Sequence, residues 1–111
     1  MGIDVRDYLV YGRKISWDNK FMDSYEEKWD NHIVKVIVDG MSGEYIVIGP
    51  VIWESYNHRW SGEGGDSFSE IDVFNLPKLE AEYKQKFREE FPEYSHWVDQ
   101  PFTLFAFTHY S

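Results

Sequence analysis

The sequence contains no cysteine. A disulfide framework, a thiolate metal site and a cysteine nucleophile are therefore excluded. Long apolar runs are also missing, and the longest ones have the length of strands, so no segment is expected to span a bilayer. The opening residues, 1–7, alternate charged and apolar side chains and predict no signal peptide. These absences together predict a cytoplasmic protein without membrane contact.

Basic side chains are scarce. The chain has 11 Lys and Arg against 20 Asp and Glu, which gives a formal net charge of −9. Direct nucleic-acid binding is disfavoured, because it depends on a basic patch that neutralises phosphates. Arg59 is the only basic residue between positions 39 and 77, against seven acids: Asp39, Glu44, Glu54, Glu63, Asp66, Glu70 and Asp72. This middle third predicts an acidic face.

Length and composition favour one domain over residues 1–111. A chain of 111 residues divided in two would leave halves too small to be stable without cross-links. Hydrophobic residues make up 42% of the sequence and aromatic residues 19%. That apolar content is sufficient to offset the entropy lost when a compact core forms.

The pattern in the first half of the chain predicts a strand, a helix and a hairpin. Residues 7–15 form the strand, in which Gly12 marks a bulge or a close backbone approach. Residues 18–31 form an amphipathic helix, with Ser16 or Asp18 as its cap. Residues 33–38 and 45–53 are β-branched runs, and the glycine-containing connection between them predicts an antiparallel hairpin.

The second half predicts a loop, a helix and a last strand. Residues 55–69 form a long glycine-rich loop, and residues 70–74 a brief edge strand. Asn75 is expected to cap a helix that has Pro77 in its first turn and ends near Phe91. A final strand covers residues 102–110. The order β-α-β-β-(β)-α-β predicts an α+β fold, a ferredoxin-like sandwich with an antiparallel sheet of four to five strands and two helices on one face.

The glycine loop offers one candidate ligand site. Its glycines let backbone amides approach an anion, while neighbouring side chains supply charge and a stacking surface. The residues concerned are His58, Arg59, Trp60, Gly62, Gly64 and Gly65. The loop lacks the Gly-Lys-Ser/Thr ending of a phosphate-binding loop, and Glu63 and Asp66 would repel phosphate. This segment therefore has two interpretations: a plain surface loop, or a lid that closes over a small nucleotide.

Catalytic signatures are sparse. His96, Asp99 and His109 supply the groups for a small hydrolase or a metal site, but their spacing matches no recurrent metal motif. A histidine at a strand end is the plainer interpretation. No Gly-x-Ser-x-Gly nucleophile elbow is present. We therefore expect a non-enzymatic protein without a cofactor or a metal.

Aromatic residues outside the amphipathic stripes point instead to protein binding. Trp53, Tyr56, Trp60 and Trp97 fall at strand ends or in loops, where such side chains anchor partners or pack beneath loops. Acidic residues surround the first three of them. The predicted partner surface comprises Trp53, Glu54, Tyr56, Trp60, Glu63, Asp66, Glu70 and Asp72. The negative charge of this surface fits a partner with a basic surface. A second copy of the chain, in a homodimer, is an alternative partner.

Three segments carry a family resemblance. The hairpin 38–49, the strand residues 8–12 and the closing residues 107–111 resemble small uncharacterised proteins encoded in tailed-bacteriophage genomes. The resemblance implies an accessory protein that acts in the host bacterial cytoplasm by stoichiometric binding. Such proteins often block host nucleases or defence complexes, as anti-CRISPR inhibitors do, by presenting carboxylates where nucleic acid would lie. It implies no catalytic or binding residue.

Overall fold

The computed structural model of the chain describes residues 5–27, 34–56 and 70–110. It confirms an α+β fold built on a curled antiparallel sheet. The strands and α-helices are β1 (Val5–Ser16), α1 (Asn19–Glu27), β2 (Val36–Val38), β3 (Tyr45–Ile48), β4 (Val51–Tyr56), α2 (Leu76–Glu90) and β5 (Thr103–Tyr110). Two 3-10 segments, Val73–Asn75 and Pro92–Val98, flank α2.

The long strand β1 organises the sheet. Its last residues pair with β3, and its earlier residues pair with β4 and β5, always antiparallel. Strand β2 pairs with β3 and completes the predicted hairpin. Since α1 connects β1 to β2 and β3 lies between these two strands, the connectivity is that of a split βαβ unit. The finer ferredoxin-like assignment stays a prediction.

One face of the sheet packs against α1 and α2, as predicted, and also against the segment Pro92–Val98. The core on this face joins Phe21 of α1 and Phe87 of α2 to Ile46 and Ile48 of β3, and all four side chains are fully buried. The stripe of apolar residues on each helix explains this burial. Asp18 caps α1, because its Oδ1 accepts a hydrogen bond from the Phe21 N–H at 2.8 Å. Residues 28–31 of the predicted helix lie outside the described part.

The opposite face of the sheet carries a second apolar cluster. Tyr8 and Val10 of β1 are buried there with Ile37 and Val47. Partly buried side chains of Tyr45, Val51, Phe105 and Phe107 pack around them. The sheet curls towards this side, which we call the concave face.

The predicted strand 45–53 is divided in two. Gly49 has a φ of 125°, which only glycine adopts readily, and Pro50 follows it. The backbone bends between β3 and β4 opposite Gly12, where a side chain at either glycine would overlap the other strand. The close backbone approach predicted at Gly12 is therefore confirmed. The prediction of one uninterrupted strand is wrong, because it overlooked the Gly-Pro pair.

The predicted edge strand at residues 70–74 is also wrong. Val73–Asn75 forms a 3-10 turn that leads directly into α2. Asp72 caps this turn, whereas Asn75 makes no capping hydrogen bond with its side chain. The helix ends at Glu90, before Pro92, as predicted. None of the described helices combines the length and apolar character needed to cross a bilayer.

Candidate functional site

The strand β4 carries the first residues of the predicted partner surface. Trp53 is half-buried rather than open to solvent. Glu54 is exposed, and its carboxylate lies 3.7 Å from the ammonium group of Lys35. Tyr56 is the last residue of this strand. Trp60, Glu63 and Asp66 lie outside the described residues.

Glu70 and Asp72, the other two predicted residues that the structure describes, belong to the segment that enters α2. Both are exposed. The Phe74 N–H donates a hydrogen bond to Asp72 Oδ1 at 3.1 Å, and the Asn75 N–H donates one to the Asp72 carbonyl at 3.1 Å. These bonds hold Val73 and Phe74 in a short turn. We call residues 70–74 the acidic turn.

The acidic turn presents apolar side chains to solvent. Phe74 is 92% exposed and Val73 is 55% exposed. The chain is anchored two residues after Phe74, where Leu76 is only 8% exposed at the start of α2. Among the large hydrophobic side chains of the described residues, Phe74 is the most exposed. The sequence pattern does not reveal this exposure, because it predicts a strand at Phe74.

The acids of the middle third do not all lie on the surface. Asp39 is 6% exposed in the turn between β2 and β3. Its carboxylate accepts hydrogen bonds from the backbone N–H groups of Ser42 at 3.1 Å and Glu44 at 3.0 Å. Asp39 therefore stabilises the hairpin turn. Of the seven predicted acids, Glu44, Glu54, Glu70 and Asp72 are exposed in the described part of the chain.

The proposed hydrolase residues are not brought together. His96 is exposed in the segment Pro92–Val98, beside the rings of Tyr94 and Trp97. Asp99 forms an ion pair with Arg88 at 3.3 Å. His109 belongs to the concave face instead, on the other side of the sheet. Within residues 5–27, 34–56 and 70–110, no group of three or more histidine and carboxylate side chains could hold a metal ion.

Trp97 is a core residue and not an exposed anchor. Its side chain is 7% exposed, and its ring centroid lies 4.9 Å from that of Phe21. The 3-10 segment Pro92–Val98 turns the ring towards the helices. The Arg13 guanidinium fixes this segment to β1 by donating to the Trp97 carbonyl oxygen at 2.6 Å. The sequence pattern predicts no helix or strand here, so it does not indicate that Trp97 is buried.

A cleft of about 650 Å³ lies on the concave face. Tyr45 and Val47 of β3 line one side of it, and Phe105 and Phe107 of β5 line the other. The remaining lining comes from Gly12, Arg13, Lys14, Gln100, Pro101, Thr103, Ala106 and Thr108. Sequence reasoning missed this site, because residues from three strands meet there only when the sheet curls.

Tyr45 and Thr108 also line a smaller cavity of about 310 Å³, which Asp39 and Glu44 help to line. The Tyr45 hydroxyl lies 2.8 Å from Nδ1 of His109. Burial raises the pKa of Tyr45, and the negative charges of Asp39 and Glu44 add to the increase. Burial also lowers the pKa of His109. Both side chains are therefore held in their neutral forms at neutral pH.

No protein-family model, curated protein or solved structure matches the chain. The resemblance to tailed-bacteriophage proteins therefore stays a prediction. The glycine loop, with His58, Arg59, Trp60, Gly62, Gly64 and Gly65, lies outside the described residues. The nucleotide-lid interpretation also stays a prediction.

Proposed function

We propose that the chain is a non-enzymatic binding protein that occludes the basic, nucleic-acid-handling surface of a host protein. It would act in the host bacterial cytoplasm, in the manner of an anti-CRISPR or other anti-defence inhibitor. The observation that carries the proposal is the acidic turn, where Phe74 is 92% exposed between the described acids and the start of α2. The contact would be stoichiometric.

The exposed ring suits the anchor of a protein interface. Large aromatic side chains at the centre of an interface, inside a rim that excludes water, contribute most of the binding free energy. The Asp72 cap fixes the backbone of the turn before any partner binds. A preformed turn loses less conformational entropy on association than a loose loop would.

Charge supports a partner with a basic surface. The net charge of −9 attracts such a surface over long range, and salt weakens that attraction. Glu70 and Asp72 place two carboxylates within four residues of Phe74. They fit a basic rim around an apolar pocket, as expected where a protein normally binds phosphates.

The test begins with affinity capture from bacterial lysate at low and high salt, with the captured proteins identified by mass spectrometry. The proposal requires a nucleic-acid-binding protein that is captured less at high salt. Its affinity for the purified chain is then measured by calorimetry. We expect Phe74→Ala to weaken binding by about tenfold or more, the loss typical of a hot-spot residue.

Matched variants separate recognition from general effects. Glu70→Lys should weaken binding, whereas Glu82→Lys makes the same change of charge on the exposed side of α2 and should have a small effect. Asp72→Ser removes a charge but retains a side chain that can cap the turn. Leu104→Ala controls for the loss of an exposed apolar side chain elsewhere. Equal affinities for Phe74→Ala and wild type would remove the acidic turn from the proposal.

A further inference from the structure

The cleft on the concave face has the size of a small-molecule site. Its volume is about 650 Å³, within the range of roughly 300 to 1,000 Å³ that is usual for ligand pockets. It lies on the side of the sheet away from the helices, and the acidic turn does not line it. The cleft is therefore distinct from the surface proposed for protein binding.

Its walls are aromatic. Phe105 and Phe107 are stacked with their ring centroids 5.8 Å apart, and both side chains remain half-exposed. The ring of Tyr45 stands at 85° to that of Phe107, with their centroids 6.2 Å apart. Gly12 contributes no side chain to the cleft. A flat apolar molecule can contact these rings by the stacked or edge-on arrangements that aromatic groups prefer.

One cation at the cleft, that of Lys14, has no acidic partner among residues 5–27, 34–56 and 70–110. The Arg13 guanidinium donates to the Trp97 carbonyl oxygen and is held towards the helices. The Lys14 ammonium lies 5.6 Å from the centre of the Tyr45 ring, and none of the carboxylates in the described residues pairs with it. The Lys14 ammonium supplies a contact for an anion.

The cavity next to the cleft has the opposite charge. Asp39 and Glu44 line the neighbouring cavity, which shares Tyr45 and Thr108 with the cleft. These carboxylates would repel the acidic group of a ligand. A ligand with one acidic group is therefore oriented with that group at Lys14 and its apolar part between the rings.

We propose that this cleft binds a small aromatic anion. The aromatic part lies against Phe105, Phe107 and Tyr45, and its carboxylate or a comparable acidic group contacts the Lys14 ammonium. This assigns a ligand class to the concave face, and the assignment does not depend on the proposed protein partner.

The test uses three probes of one shape and different charge. Naphthalene-2-carboxylate is the anion, naphthalene-2-carboxamide is neutral, and 2-naphthylmethylammonium is the cation. Titrations of the full chain are followed by amide chemical shifts, which report both affinity and location. We expect saturable binding of the carboxylate, with shifts centred on Lys14, Thr103 and Phe105. The carboxamide should bind about tenfold more weakly, and the cation more weakly still.

Two pairs of variants localise the interaction. Lys14→Met removes the ammonium group and leaves an apolar side chain in its place. It should therefore abolish the preference for the carboxylate over the carboxamide. Lys35→Met, which removes the lysine that pairs with Glu54, should keep that preference. Thr103→Trp fills the cleft from an exposed position and should block all the probes. Leu104→Trp adds the same ring at the next, exposed position and should leave binding intact.

Three results would overturn the proposal: shifts scattered over the molecule, equal affinity for the carboxylate and the carboxamide, or an unchanged preference in Lys14→Met. The amide spectrum of each variant also reports whether it is folded. If Lys14→Met fails to fold, the Thr103→Trp and Leu104→Trp pair still decides the location of the site.

Discussion

The Tyr45 hydroxyl lies 2.8 Å from Nδ1 of His109, although β1 pairs with these two residues at distant positions. Tyr45 is opposite Ser16, and His109 is opposite Arg6. Ten residues of flat strand would span roughly 33 Å. The contact is therefore made by the curl of the sheet, which brings the start of β3 to the end of β5. The same curl forms the cleft.

The pH dependence of stability should report the burial of His109. Burial lowers its pKa below the ordinary value of 6.5, and Arg6 adds to this decrease while Asp39 opposes it. The unfolded chain therefore binds this proton at a higher pH than the folded chain does. The contribution to stability is complete above pH 6.5, and it falls as the pH drops below that value until the folded state is also protonated.

The measurement is the free energy of unfolding in urea, between about pH 7.5 and pH 5.5, where histidine side chains titrate. We expect His109→Asn to have a shallower pH dependence than wild type. His96→Asn changes an exposed histidine and should keep the wild-type slope. Identical slopes for both variants would show that His109 is not buried in this way.

Gly12 should tolerate no side chain. A Cβ there would overlap the carbonyl oxygen of Ile48 and crowd the backbone of Gly49. We expect Gly12→Ala to lower the free energy of unfolding by on the order of 3 kcal/mol, because two paired strands must separate. Gly40→Ala is the control, since nothing lies within 4 Å of its added Cβ. Urea denaturation of both variants checks the prediction, and equal stability would contradict the close approach of the two strands.

Two phenylalanines should differ sharply in their contribution to stability. Phe87 is fully buried in the helix-side core, and its replacement by alanine should cost about 3 to 5 kcal/mol. Phe74 is 92% exposed, so Phe74→Ala should change the free energy of unfolding by less than about 0.5 kcal/mol. A large loss in Phe74→Ala would mean that the ring packs within the chain and is not available to a partner.

Asp39 should be important for folding rather than for recognition. Its buried carboxylate accepts two backbone hydrogen bonds in the hairpin turn, so Asp39→Ala should lower the free energy of unfolding by about 2 kcal/mol. Glu44→Ala removes the same charge from an exposed side chain and should change stability little. The free energies of unfolding of the two variants are compared by thermal or urea denaturation. Similar stabilities would refute the structural role of Asp39.

Much of the fold could be predicted because local patterns determine it. The stripe Leu76, Tyr83 and Phe87 and the proline at the start of α2 specify that helix. The glycine-punctuated β-branched runs specify the hairpin of β2 and β3. In each case the pattern lies within about 20 residues, and the structure follows local propensity.

The errors arise where one residue or a distant contact overrides the local pattern. Pro50 and the positive φ of Gly49 divide a run whose composition is uniformly that of a strand. Trp97 has no periodic pattern around it, and it becomes a core residue through ring contacts with Phe21, Phe87 and Tyr94. The exposure of Phe74 and the lining of the cleft depend on tertiary geometry, for which the spacing of residues gives no signal.

A competition experiment tests whether the acidic turn occludes a nucleic-acid-binding surface. The protein identified by affinity capture is bound to a fluorescent DNA or RNA duplex, and the chain is added while fluorescence anisotropy is recorded. We expect wild type to displace the nucleic acid at near one-to-one stoichiometry, and Phe74→Ala and Glu70→Lys to need at least about tenfold more protein. Displacement by both variants at the wild-type concentration, or simultaneous binding of chain and duplex, would contradict this expectation.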